Sequence, residues 1–237
     1  KIGLQPLEED YKIPYTKQTV NLVSDDITLD ILDGDTRIDE LIYGRDFIEV
    51  FLNNTDFSLP LVLSPLDRDC VVLTEDASKN VELSKNPSVK LIIQKSEKLS
   101  RQGGFYHDGF TPQLRVLPEA YNKLLEHIGK NVSFKAEIEE KAEVQENIAG
   151  VIKGQDNSNV LLISAHFDHV GKIGDVIWRG ALDNASGVCT ILKTAEVLSE
   201  HYKDSRPAYD IVFCAFNSEE TLSSGDGGSI YFSSYLY

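Results

Sequence analysis

Residues 161–171 read LLISAHFDHVG, an apolar run that stops at His166, Asp168 and His169. Leu161-Leu162-Ile163 between turn residues is the pattern of a buried strand. The polar groups at its end then face something polar. Downstream, in DNASGVCTILKTAEVLSEHY (183–202), Val188, Ile191, Leu192, Ala195, Leu198 and Tyr202 recur at helical spacing. YDIVFCAFN (209–217) is a second apolar strand, and Glu219 and Glu220 follow it. Strand, helix, strand with apolar strands is a βαβ unit, which predicts an α/β fold with a mixed, partly parallel sheet and flanking helices.

The pattern changes upstream. Pro6 and Pro14 predict an extended lead-in over the first twenty residues. Ile27, Leu29 and Ile31 alternate with polar residues, and Asp33-Gly34-Asp35 turns the chain. Short apolar runs at Leu59–Leu63, Val71–Thr74 and Val89–Ile93 suggest a small β-rich domain. Pro118 opens a helix, PEAYNKLLEHIG, with Tyr121, Leu124, Leu125 and Ile128 on one face and Gly129 as its stop. Val132, Phe134, Ala136 and Ile138 alternate as a half-buried strand. Ile148–Ile152 and Val160–Ala165, flanking GQDNSN, read as a hairpin with a longer loop. The domain organisation expected is a lead-in strand (1–20), an inserted β-rich domain (21–130) and an α/β domain (131–237).

Composition excludes some classes. The net charge is −15, from 23 Lys and Arg against 38 Asp and Glu. That argues against a nucleic-acid partner, which calls for basic patches. No apolar stretch reaches the length of a membrane span. Cys70, Cys189 and Cys214 have neither metal-type spacing nor an even count, and are expected to be free and mostly buried. The chain contains no methionine, which suggests a processed or excerpted form.

The chemistry gathers at element ends. His166 and Asp168 lie past one strand, Asp183 at the mouth of the helix, and Glu219 and Glu220 past the next strand. Open α/β sheets bind ligands at the carboxyl ends of their strands, so these loops can converge. Imidazole with carboxylates suits zinc. His166 supplies a neutral nitrogen, and Asp168 is placed to accept its other ring N–H. Asp183 has two oxygens and can bridge two ions about 3.5–4 Å apart. Consecutive side chains diverge, so Glu220 is assigned as a ligand and Glu219 as the general base. Each piece has an ordinary reading: a hydrogen-bonded histidine, a helix N-cap at Asp183, a solvated Glu-Glu pair. Their order, each at a terminus, favours the metal.

SAHFDHVG, RGALDNASGV and FNSEE resemble the co-catalytic two-zinc exopeptidases, the family of bacterial leucyl aminopeptidase, aminopeptidase Y and glutamate carboxypeptidase. The resemblance implies two zinc ions, with His166, Asp183 (bridging) and Glu220 as ligands, Asp168 behind His166, and Glu219 as base. It implies a peptide substrate, cleaved at its N-terminus by attack of a metal-bridging water. The alternatives are a carboxypeptidase on the same scaffold or an inactive binding domain. Thr111–Gly154 resembles the end of a protease-associated domain and the re-entry into the catalytic sheet. The resemblance and the processed form together suggest an extracellular or cell-envelope enzyme, the alternative being the cytoplasm. Two departures are visible. TLSSGDGGS after Glu220 is about three residues longer than the family's loop, and the family's remaining aspartate and histidine ligands fall beyond Tyr237. The site as written is therefore expected to be incomplete. His169 matches a non-ligand position and reads as structural; His107 reads as a surface residue.

Overall fold

The computed structural model describes residues 2–23, 27–100, 105–106, 110–173, 176–220 and 227–236. The lead-in is extended, as β1 (Gln5–Pro6) and β2 (Lys12–Leu22). Nine strands follow: β3 (Thr28–Asp33), β4 (Thr36–Leu41), β5 (Phe47–Leu52), β6 (Thr55–Val62), β7 (Cys70–Thr74), β8 (Val89–Lys95), β9 (Phe105–Tyr106), β10 (Gln113–Val116) and β11 (Asn131–Ala136). Helix α1 (Asn80–Leu83) precedes β8, and α2 (Pro118–Glu126) precedes β11. The nine strands form one sheet in the order β4-β3-β11-β6-β7-β8-β10-β5-β9. β6, β7, β8 and β10 run parallel at its centre. Every residue of β7 is buried there, with Leu91, Ile92 and Ile93 of β8. Strands covered on both faces are continuously apolar, which is why these runs lack alternation.

α2 starts at Pro118 and buries Tyr121 and Leu124, whereas Leu125 and Ile128 are exposed. Its buried stripe is narrower than expected, since Leu125 lies on the exposed side of the helix and Ile128 falls beyond its end at Glu126. The chain then turns, with Gly129 at φ +90° and its N–H bonded to the Leu61 carbonyl.

The remaining elements are β12 (Ile138–Ile152), β13 (Asp156–His166), β14 (Gly171–Ile173), β15 (Val176–Trp178), α3 (Ser186–His201), β16 (Tyr209–Phe216) and α4 (Gly228–Leu236). Two compact units result. One comprises Lys1–Thr19, Ala142–Gly171 and Trp178–Tyr237; the other comprises Val20–Lys141 and Lys172–Ile177. The division after Lys130 is therefore displaced to Lys141. The reason is that β11 pairs with β3 on one side and β6 on the other, which ties it to the nine-stranded sheet.

The first unit holds a five-stranded sheet, β1-β12-β16-β13, with β2 also paired to β12. β16 is parallel to β13 and antiparallel to β12, so the sheet is mixed and α3 is the crossover of the βαβ unit. Val212 and Cys214 pack with Ile13, Ala149, Val151 and Phe232 of α4. Ile211 and Phe213, on the opposite face, pack with Ala195 of α3.

Two expectations fail in this sheet. β12 and β13 are not a hairpin, because β16 lies between them. The chain crosses the start of β16, where the Gly154 N–H donates to Asp210 Oδ1 (2.7 Å) and the Gln155 N–H to the Pro207 carbonyl (2.9 Å). Nor is β13 buried: Leu161 is 54% exposed, with Val160 and Leu162 exposed beside it. Among the described residues β13 is an edge strand paired only to β16, whereas β16, paired on both sides, buries Asp210 through Cys214.

The three thiols are free. Cys70 and Cys214 are buried, and burial pushes the Cys214 thiol up to about 12. Cys189 is exposed on α3, against expectation, because it lies on the helix side away from Ile191 and Ala195. Alkylation of the native protein is expected to label Cys189 alone, and unfolding to add the other two. Rapid native labelling of Cys214, read by mass spectrometry, would contradict this packing. Among the described residues no helix is long and apolar enough to cross a membrane.

Candidate metal centre

Parallel pairing brings the site together. His166 is opposite Phe216 in the β13–β16 register, so the loops after both strands leave the sheet at the same end. The Phe167 N–H extends the pairing to the Phe216 carbonyl at 2.9 Å. The two Asp168 carboxylate oxygens then accept the backbone N–H groups of Glu219 and Glu220, at 3.1 Å each. Asp168 was expected to engage the His166 ring through this carboxylate. The carboxylate instead lies 3.8 Å from His166 Nδ1, too far for a hydrogen bond, and the Asp168 backbone carbonyl takes that place at 3.2 Å. Asp168 thus acts twice: its main chain orients the imidazole and its side chain clamps the glutamate turn.

The turn is braced from behind. Ser218 sits at φ +61°, a conformation uncommon outside glycine. The Tyr15 hydroxyl reaches Ser218 Oγ (3.0 Å) and the Asn217 carbonyl (3.2 Å). Asn147, fully buried, accepts the Asn217 N–H (3.0 Å) and donates to the Gly228 carbonyl (2.8 Å). A Cβ on Gly228 would lie 2.2 Å from Asn147 Oδ1 and 2.5 Å from the Asn217 carbonyl oxygen, so only glycine closes the bracket. Sequence reasoning missed Tyr15, Asn147 and Gly228. Nothing local marks them, since their partners are distant in the chain.

Asp183 lies in the turn Ala181–Ala185, where the backbone is non-helical at Asp183 and Asn184, and α3 begins only at Ser186. Asn184 does the capping: its Oδ1 accepts the Gly187 N–H at 3.0 Å. The Asp183 side chain remains 71% exposed, with Oδ1 3.0 Å from His166 Nε2.

His166, Asp183 and Glu220 each offer one ligand atom, all within 4.8 Å of one another. Glu219 stands at the margin, 44% exposed, with Oε2 3.8 Å from His166 Nε2. The set of one imidazole nitrogen and two carboxylates fits zinc. A carbonyl at Nδ1 calls for the tautomer with its proton there, which leaves a lone pair on Nε2. A lone pair 3.0 Å from a carboxylate oxygen is repulsive, and either a proton on Nε2 or a metal ion between the two atoms relieves it. His169, read as structural, donates from Nδ1 to Glu220 Oε1 at 2.6 Å. Arg179 is exposed and Trp178 half-buried, its ring N–H without a partner among the described residues. His107 and the segment 221–226 lie outside the described residues.

The cluster falls wholly within a stretch that matches a family model. Residues 147–235 match the model of Peptidase family M28. The exopeptidase resemblance carried by the three sequence motifs therefore stands over this span. The M28 match does not reach the nine-stranded sheet. No curated protein matches the chain. Among solved structures, an aminopeptidase from Aneurinibacillus sp. strain AM-1 matches at 20% identity and a TM-score of 0.61, over 95% of this chain and 56% of its own. A Peptidase M28 precursor from Shewanella amazonensis SB2B follows at 19% identity and 0.57, over 92% of this chain and 56% of its own. A zinc aminopeptidase from Bacillus subtilis matches at 18% and 0.56, over 87% of this chain and 52% of its own. These likenesses show a shared fold, and the chain spans little more than half the length of these structures.

Proposed function

We propose that this protein is a zinc-dependent aminopeptidase in which His166, Asp183 and Glu220 hold metal and Glu219 is the general base. The observation that carries the reading is the convergence of those three ligand atoms within the M28 span. The printed descriptions of two similar structures, an aminopeptidase and a zinc aminopeptidase, support it. Zinc, when bound, supplies Lewis acidity that polarises the scissile carbonyl and acidifies water. The chain's own residues do the rest. The Asp168 carbonyl orients His166, and the Asp168 carboxylate holds the backbone from which Glu219 and Glu220 diverge. Glu219 takes a proton from the attacking water and delivers it to the leaving amine.

Asp183, exposed and with two oxygens, is the residue suited to bridge two ions, with His166 and Glu220 one terminal ligand each. Catalytic zinc sites use three protein ligands or shared bridging ones. The three residues therefore satisfy one ion better than two. The 237-residue chain is expected to take up fewer than two zinc ions, and Asp183→Ala to remove most of that uptake. Equilibrium dialysis against buffered zinc checks both. Two tightly held ions, or full uptake by the Asp183 variant, would refute the ligand assignment. Peptides blocked at either end test the reaction: cleavage is expected to require a free amine, and a requirement for a free carboxylate would favour a carboxypeptidase.

A further inference from the structure

We infer that His169 is a positioning residue, which holds Glu220 in the orientation that makes it a metal ligand. The inference rests on the zinc reading above but concerns a residue outside the ligand set. A glutamate side chain has three rotatable bonds, and Glu220 would otherwise sample many directions. Its backbone N–H is fixed by Asp168 at 3.1 Å, and its Oε1 accepts from His169 Nδ1 at 2.6 Å. With both ends of the residue tied, Oε2 is left to serve as the ligand atom.

The imidazole is itself held by close packing. A Cβ on Gly180 would stand 2.8 Å from His169 Cγ and 2.9 Å from its Cβ, so the ring lies directly on the Gly180 main chain. The same imagined atom would lie 2.7 Å from the Asp183 carbonyl oxygen. Gly180, which leads into the Asp183 turn, is thus where His169 packs against that segment. His169 consequently connects two of the three ligand-bearing segments, by contact to the Asp183 turn and by hydrogen bond to Glu220. It is three-quarters buried, at 24% side-chain exposure, and Glu220 is at 19%. Partners that orient ligating carboxylates typically contribute 10–100-fold in metal affinity.

The test uses His169→Ala and His169→Asn. The asparagine Nδ2 can take the place of the ring Nδ1, so this variant keeps the donor without the imidazole. Zinc affinity is measured by competition with a chromophoric chelator, and thermal stability is followed without metal. His169→Ala is expected to weaken zinc binding by about 10–100-fold, and His169→Asn to recover most of it, with similar metal-free melting temperatures. Long-range ¹H–¹⁵N spectra of the metal-free protein should show the proton on His169 Nδ1, and Glu220→Ala should change that signal. An alanine variant that binds zinc like the parent, or a ring proton on Nε2 alone, overturns the positioning role. If the parent takes up no zinc although the Nδ1 proton is in place, the zinc reading fails and takes the role with it.

Discussion

In a chain that carries the complete ligand set, Glu219→Gln is expected to lower turnover by ~10²–10⁴-fold while zinc content stays at the parent level. The substitution keeps the size and the hydrogen-bonding capacity of the side chain and removes only its ability to accept a proton. Among the described residues the local bracing does not use that charge, because Asp168 grips the Glu219 backbone and not its carboxylate. The side chain stands 44% exposed at the margin of the cluster, 3.8 Å from His166 Nε2, within reach of a water beside it. Glu220→Gln is the matched comparison and is expected to lose metal as well as turnover. Steady-state kinetics with metal analysis on both variants separates the roles. Zinc loss from the Glu219 variant would exchange the two assignments.

The second large effect lies far from the chemistry. Gly154→Ala is expected to destabilise the unit that carries the cluster by about 3 kcal/mol, near the upper end for forcing extra atoms into a packed site. The new Cβ would lie 2.3 Å from the Tyr209 carbonyl carbon, 2.6 Å from its oxygen and 2.7 Å from the Asp210 nitrogen. All three are backbone atoms of the strand being crossed, so no side-chain rotation relieves the contact. Relief by backbone movement would break the bonds from Gly154 and Lys153 to Asp210, whose side chain is 8% exposed. Asn157→Ala, at an exposed position three residues on, should stay within about 0.5 kcal/mol of the parent. Urea denaturation reads both. A Gly154 variant as stable as the parent would mean that the crossing is looser than the geometry shows.

Both effects trace to features that the sequence signals unequally. That His166, Asp183, Glu219 and Glu220 lie close together was legible because it follows from the order of elements: a βαβ unit fixes which strand ends point the same way. The alternation at Val132, Phe134 and Ala136 was legible for a similar reason, since side chains point to opposite faces of a strand whatever the strand pairs with. The neighbours of a strand are another matter. Ile148–Ile152 and Val160–Ala165 have the local signature of a hairpin, and only the insertion of β16 between them shows otherwise. Leu161 and Leu162 have the signature of burial, yet they lie on an edge strand and are exposed.

By itself the amino-acid sequence determined the α/β class of the second part and put His166, Asp183, Glu219 and Glu220 at the ends of its elements, because periodicity and element termini are local properties. Tertiary structure alone decided which atoms of Asp168 do which work, that Asn184 and not Asp183 caps α3, and that Tyr15, Asn147 and Gly228 brace the glutamate turn. It also placed His169 against Glu220 and moved the domain division into β12. Each of these depends on hydrogen bonds or close contacts whose partners are set by sheet order and loop path. Residues distant in the chain carry no mark of one another until the backbone brings them within about 3 Å, the range of a hydrogen bond.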